Sequence, residues 1–169
     1  MSSNLKRWSN SCQAKMIPPE QLSERVSQLR RDQHSIATLN GSFDLLHAGH
    51  LQIIYEASQM ANILIVALNT DSSIQHYKSP DRPIIPLNDR LQMMAALEFV
   101  DYVTWFDETD PCALLTMIKP DVHVNGAEYG QECIEAATVR SWGGSIHIVP
   151  LIPGLSTSDI VKKIREGEE

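Results

Sequence analysis

Cysteine is scarce in this chain: Cys12, Cys112 and Cys133 are odd in number, far apart and without any CxxC spacing. That pattern argues against a disulfide framework or a structural zinc site and points to a reduced cytoplasm. Long apolar runs are missing too, so no membrane span is expected. The opening "MSSNLKRWSNSCQAKM" has no apolar h-region, and no secretory signal is expected there. Positive charge is in deficit. A formal net charge of −7 argues against a general nucleic-acid binder, which needs a basic face to release counterions. A single nucleotide is still compatible, because a few local donors can hold one small polyanion. Walker A and GxGxxG are both absent, which removes the commoner phosphate loops.

What is present is enough for one globular domain. The 169 residues, 43% hydrophobic and 21% charged, can bury a sizeable core. Strand-like runs fall at 35–39, 62–68, 100–106, 121–124 and 145–151, and helix-like stretches at 50–60, 86–98, 110–118, 131–142 and 156–166. "ILIVAL" is apolar at every position, as a strand covered on both faces requires. Five alternations of strand and helix predict a doubly wound parallel α/β sheet of about five strands. A further helix at 19–31 precedes the first strand. The domain is expected over 16–166, after a flexible segment at 1–15, with the acidic end "REGEE" frayed.

In such sheets, ligands bind beyond the carboxyl ends of the strands, near the point where strand order reverses. "NGSFDLLHAGH" (40–50) sits at the end of the first strand. Gly41 lets backbone approach a ligand closely or take a positive φ. A helix starting near Gly49 turns unpaired N–H groups and its dipole toward the crevice. His47 lies at the helix entry and His50 one turn in, so both imidazoles can face the same oxygen atoms. Each can donate N–H bonds and can carry charge near neutral pH. Two plainer readings compete: an ordinary strand-to-helix turn, or an HxxH metal pair, for which no third ligand at plausible spacing is evident.

The same residues closely resemble the GxFDxxHxGH motif of the cytidylyltransferase-like nucleotidyltransferases, relatives of the HIGH-containing class I aminoacyl-tRNA synthetases. The resemblance runs through "KMIPPEQLSERVSQLRRDQHSIATLNGSFDLLHAGH", "VALNTDSSIQHYKSPDRPIIPLNDRLQMMAALEFVDYV", "IKPDVHVNGAEY" and "GLSTSDIVKKI". Those segments are similar to the branch that makes ADP-heptose. The resemblance implies a Rossmann-like, HIGH-type nucleotidyltransferase fold. It also implies ATP as substrate, a phosphorylated sugar as acceptor, Mg2+ carried mainly by the phosphates, a homodimer, and a separate kinase supplying the sugar phosphate.

Carried over residue by residue, the resemblance makes His47, His50 and Lys78 catalytic. It places Gly41, Ser42, Phe43, Asp44, Gly49, Arg90, Asn125, Gly126, Glu128, Ser156, Thr157 and Ser158 around the nucleotide. Asp44 either orients its loop or contacts metal through a water. Asp71 can cap the next helix, and Ser156 to Asp159 reads as a capping box. The chain departs from the family pattern at Asn125, where lysine is common, at Ala127 and Glu128, where Gly-Asp is common, and at Val161, which stands in place of an arginine. The rival readings are a CTP-dependent cytidylyltransferase acting on glycerol 3-phosphate or a similar phosphoalcohol, and a nucleotide-binding protein without activity.

Overall fold

A computed structural model describes residues 10–150, 154 and 156–167. Five parallel strands form its centre: β1 (Ile36–Gly41), β2 (Ile63–Asn69), β3 (Tyr102–Phe106), β4 (Val122–Gly126) and β5 (Ser145–Val149), in spatial order β3-β2-β1-β4-β5. Helices α1 (Pro19–Arg31), α2 (Ala48–Ser58), α3 (Asp71–Tyr77), α4 (Leu87–Ala95), α5 (Cys112–Ile118), α6 (Ala136–Arg140) and α7 (Thr157–Glu166) flank or follow them. Strand order reverses between β1 and β4, which places the crevice at the ends of those two strands. The parallel α/β sheet predicted from the alternating pattern is thus the one observed.

Period-2 alternation splits the core into two layers. Ala37, Leu39, Leu64, Val66 and Leu68 face α2 and α4, packing on Ile54, Ala57, Leu91 and Met94. Ile36, Ile65 and Ala67 face the other way, onto Leu22, Val26 and Leu29 of α1 and Leu114 and Ile118 of α5. The uniform apolarity of β2 follows, because both of its faces are covered. One polar pair interrupts the second layer: fully buried His123 shares a 2.8 Å hydrogen bond with Thr38 Oγ1 through Nδ1. Burial lowers the His123 pKa to about 4.

Several local expectations are corrected. Residues 10–15, expected in the flexible segment, are helical; Cys12 is buried and Lys15 Nζ donates to the Leu97 carbonyl at 2.8 Å. Residues 1–9 lie outside the described residues. Helix α3 is a surplus over the expected elements, because seven mostly polar residues carry little apolar periodicity. The stretch 131–142 is helical only over Ala136–Arg140: turns closed by Tyr129 N–H to Gly126 O and Ala136 N–H to Cys133 O occupy what precedes it. Arg165 and Glu166, expected to fray, complete α7. The last residue of the strand predicted over 145–151 lies outside the described residues.

Candidate active site

The loop leaving β1 has unusual backbone. Phe43 adopts φ +44°, a left-handed conformation that costs a bulky side chain energy and needs surrounding support. Its buried ring lies over Gly41, where a Cβ would come within 3.2 Å of the ring. Glycine at 41 therefore spares the loop a tight contact with the Phe43 ring.

Behind the loop lies a clamp of charge. Asp44 is 1% exposed, and both its oxygens are engaged. Oδ1 accepts from Ile84 N–H and Ile85 N–H, each at 2.8 Å, and Oδ2 pairs with Arg82 Nη2 at 2.7 Å. Of the two roles open to Asp44, this geometry is that of a loop anchor. The buried Arg90 guanidinium donates to the Ile85 carbonyl at 2.9 Å, the Ser42 carbonyl at 2.6 Å and Asp71 Oδ1 at 2.6 Å. Arg90, expected at the nucleotide, does not line the cleft; its fork holds the loop from behind. Asp71 reaches a helix start, though not that of the helix it opens. Thr70 caps α3 by accepting from Ser73 N–H, whereas Asp71 Oδ2 accepts from Leu87 N–H at the start of α4.

The cleft opens at the crossover between β1 and β4 and encloses about 260 Å³. It is lined by Gly41, Ser42, Phe43, His47, Gly49, His50, Lys78, Asn125, Gly126, Glu128, Ser156 and Thr157, so twelve of the residues expected from sequence share one surface. Asp44, Arg90 and Ser158 do not line it. Ser158 is exposed in the first turn of α7. Asn40, Ile53, Tyr129, Val149 and Pro150 also line the cleft and were not anticipated. Asn40 was legible in principle, since it directly precedes Gly41 on β1.

His47 is the N-cap residue of α2, and His50 is the third residue of that helix. Their rings stack at 3.9 Å between centroids, and the His50 ring meets Phe43 edge-on at 5.4 Å. Nδ1 of each ring is buried without a hydrogen bond of acceptable geometry. Burial lowers the His47 pKa. His50 falls to about 4 through burial first, then the nearby positive charge of His47 and Lys78, with the Leu45 carbonyl opposing. Both shifts favour the neutral ring, whereas the sequence alone allowed the charged form. Lys78 closes α3 and donates to Ser42 Oγ at 2.9 Å; burial and Arg82 lower its pKa, Asp44 raises it and Arg90 lowers it.

Opposite the histidines, Ser156 caps α7 by accepting from Asp159 N–H at 3.0 Å, as the capping box predicts. Thr157 Oγ1 makes a long, 3.5 Å contact to the Leu45 carbonyl, which ties this helix start to the signature loop. The amino ends of α2 and α7 therefore face one cleft, each with N–H groups that have no intrahelical acceptor. Two helix dipoles, a lysine and two stacked imidazoles suit a polyphosphate. For a divalent cation the protein offers little: Glu128 is the one carboxylate in the lining, and no cluster of three His, Cys, Asp or Glu occurs among the described residues. A metal carried by the phosphates fits that donor set; a protein-built cage does not.

A model of the cytidylyltransferase-like family matches residues 38–163. The bifunctional protein HldE of Methylobacillus flagellatus is 41% identical over 146 residues, covering 86% of this chain and 30% of that protein. HldE of Koribacter versatilis is 39% identical over 152 residues, covering 89% and 31%. The chain thus spans less than a third of the length of these curated relatives. Among solved structures, a lipopolysaccharide core biosynthesis protein from Thermoplasma volcanium superposes with a TM-score of 0.57 at 27% identity, over 70% of this chain and 97% of that one. A pantoate–beta-alanine ligase from Francisella tularensis superposes with a TM-score of 0.58 at 17% identity, over 91% and 78%, a likeness of fold alone.

Proposed function

The chain belongs to the cytidylyltransferase-like family of nucleotidyltransferases, and on that premise we propose that it transfers AMP from ATP to a sugar 1-phosphate, foremost D-glycero-β-D-manno-heptose 1-phosphate. The products are ADP-heptose and pyrophosphate. The observation that supports this reading is the convergence of His47, His50, Lys78, Ser156 and Thr157 on one cleft at the ends of β1 and β4.

A phosphate oxygen of the sugar 1-phosphate attacks the α-phosphorus of ATP in line; the bond to the α–β bridging oxygen breaks and pyrophosphate leaves. The attacker needs no general base, since its second pKa lies near ~6. Stabilising charge is then most of the task. His47 and His50 donate to the α-phosphate and bridging oxygens, each contributing about 3 kcal/mol by analogy with loss of one oxyanion donor. A bound polyphosphate raises their pKa values again, so the rings gain cationic character when charge develops. Lys78 neutralises phosphate, and the amino end of α7, with Ser156 and Thr157, receives the departing pyrophosphate. A divalent cation arriving with the nucleotide supplies further charge neutralisation. Three free thiols suit a reducing cytoplasm, and on this reading a separate sugar kinase supplies the acceptor.

Pyrophosphate release from ATP or CTP, measured against heptose 1-phosphate, hexose 1-phosphates and glycerol 3-phosphate, tests the proposal. ATP with heptose 1-phosphate is expected to be fastest. Preference for CTP with glycerol 3-phosphate would replace it by the cytidylyltransferase reading. Asn125 and Val161, which subtract charge from expected phosphate contacts, favour the second reading of a binding protein without activity; ATP binding with no turnover on any acceptor would establish it.

A further inference from the structure

One polar group in the cleft has no part in the phosphate chemistry. On the face of the sheet that carries Ile36, Thr38 and His123 are neighbours in the β1–β4 register and touch at 2.8 Å. The pairing then runs Leu39 to Val124 and stops. Side chains alternate, so Asn40 and Asn125 are the next neighbours on the Thr38–His123 face, one on each strand, where the strands open into the cleft. Both line it.

The amides of the two asparagines are in complementary states. Asn40 Oδ1 is buried and has no partner. Asn125 is 3% exposed, and its Nδ2 donates to Glu135 Oε2 over a long 3.4 Å. Glu135 is itself 4% exposed, just before α6, and no basic side chain pairs with it among the described residues. A carboxylate only accepts, so Glu135 engages the NH2 end of Asn125 and not its Oδ1. An unpaired buried acceptor is costly, and Asn40 Oδ1 is one, in a cleft that Asn125 also lines.

We propose that Asn40 and Asn125 form a paired hydrogen-bond-accepting site for hydroxyl groups of the bound ligand, with Glu135 as the positioning residue that fixes the Asn125 amide. Resting on the reading above, the site selects hydroxylated over deoxygenated ligands, with the hydroxyls supplied either by the ribose of the nucleotide or by the acceptor sugar. Two acceptors on neighbouring strands suit neighbouring hydroxyls, and they repel a phosphate.

Titration calorimetry of the full chain separates the sources, and because it reads binding it is independent of turnover. One series compares ATP with 2′-deoxy-ATP and 3′-deoxy-ATP; the other compares heptose 1-phosphate with its 2-deoxy and 3-deoxy analogues. The wild-type chain is expected to prefer the hydroxylated member of one series by roughly tenfold. Asn125→Leu and Asn40→Leu are each expected to bring that preference close to one. Glu135→Gln, which keeps volume but lets the Asn125 amide turn, is expected to reduce it partly; it also serves if Asn125→Leu fails to fold. The series that responds identifies the ribose or the sugar. An unaltered preference in folded variants across every series that binds, or no binding in either series, overturns the proposal. Absence of pyrophosphate release with these preferences intact overturns the nucleotidyl-transfer reading alone.

Discussion

Replacing His50 by alanine separates chemistry from stability at the centre of the cleft. The imidazole stacks on His47 at 3.9 Å and meets Phe43 edge-on. Losing such aromatic contacts costs ~0.5–1.5 kcal/mol each. One effect opposes that loss: alanine is the best helix former, by a few tenths of a kcal/mol within α2. The net destabilisation is therefore about 1 kcal/mol, a shift of about 2–4 °C in Tm for a domain of this size. On catalysis nothing compensates. Loss of one donor to a developing phosphate charge costs about 2.7–4 kcal/mol, or a hundred- to thousandfold in kcat. The assay is steady-state pyrophosphate release at saturating ATP and acceptor, alongside thermal unfolding of the same preparation. A kcat within threefold of wild type, with Tm retained, would refute the reasoning.

Other expectations follow from the scaffold. Stability should be intact above pH 6.5 and fall as pH drops toward 4, because the unfolded chain protonates His123 at its ordinary pKa of 6.5 while the folded one resists until about 4. That single group accounts for about 3 kcal/mol, and His123→Gln should flatten this part of the acid limb in urea unfolding at stepped pH. Arg90→Lys should lower stability by about 2–3 kcal/mol and reduce kcat, since one ammonium cannot hold the Ser42 carbonyl, the Ile85 carbonyl and Asp71 together; urea midpoints and turnover measure both. Gly126→Ala puts a Cβ 2.2 Å from the Glu128 carboxylate oxygen. That side chain can swing away, so stability should change by less than about 1 kcal/mol while ligand affinity falls, as calorimetry would record.

Much of this site was readable without coordinates because its parts are local. Gly41, Phe43, Asp44, His47 and His50 lie within ten residues, and helical spacing alone brings the two imidazoles together. Ser156 capping α7 was likewise legible, since a capping box closes over three residues. The basic stretch around Lys78 and Arg90 was visible as charge, yet which cation enters the cleft was not. That depends on how the segment after α3 folds back on the loop, which is decided by contacts between residues about forty positions apart, such as Asp44 with Ile84 and Arg82. The charge state of the histidines was also hidden, because desolvation depends on everything packed around the ring.

The alternation of strands with helices, α3 apart, and the glycine-and-histidine loop at the end of β1 were determined by sequence alone. Each rests on periodicity or spacing within a few turns of chain. Tertiary structure alone decided that Arg90 is spent inside the scaffold, that Ser158 stays out of the cleft lining, and that Asn40 and Asn125, each two residues beyond the paired Thr38 and His123, both enter it. These are pairings across strands and crossovers, where the partner is chosen by three-dimensional register and by the buried groups that must find a hydrogen bond.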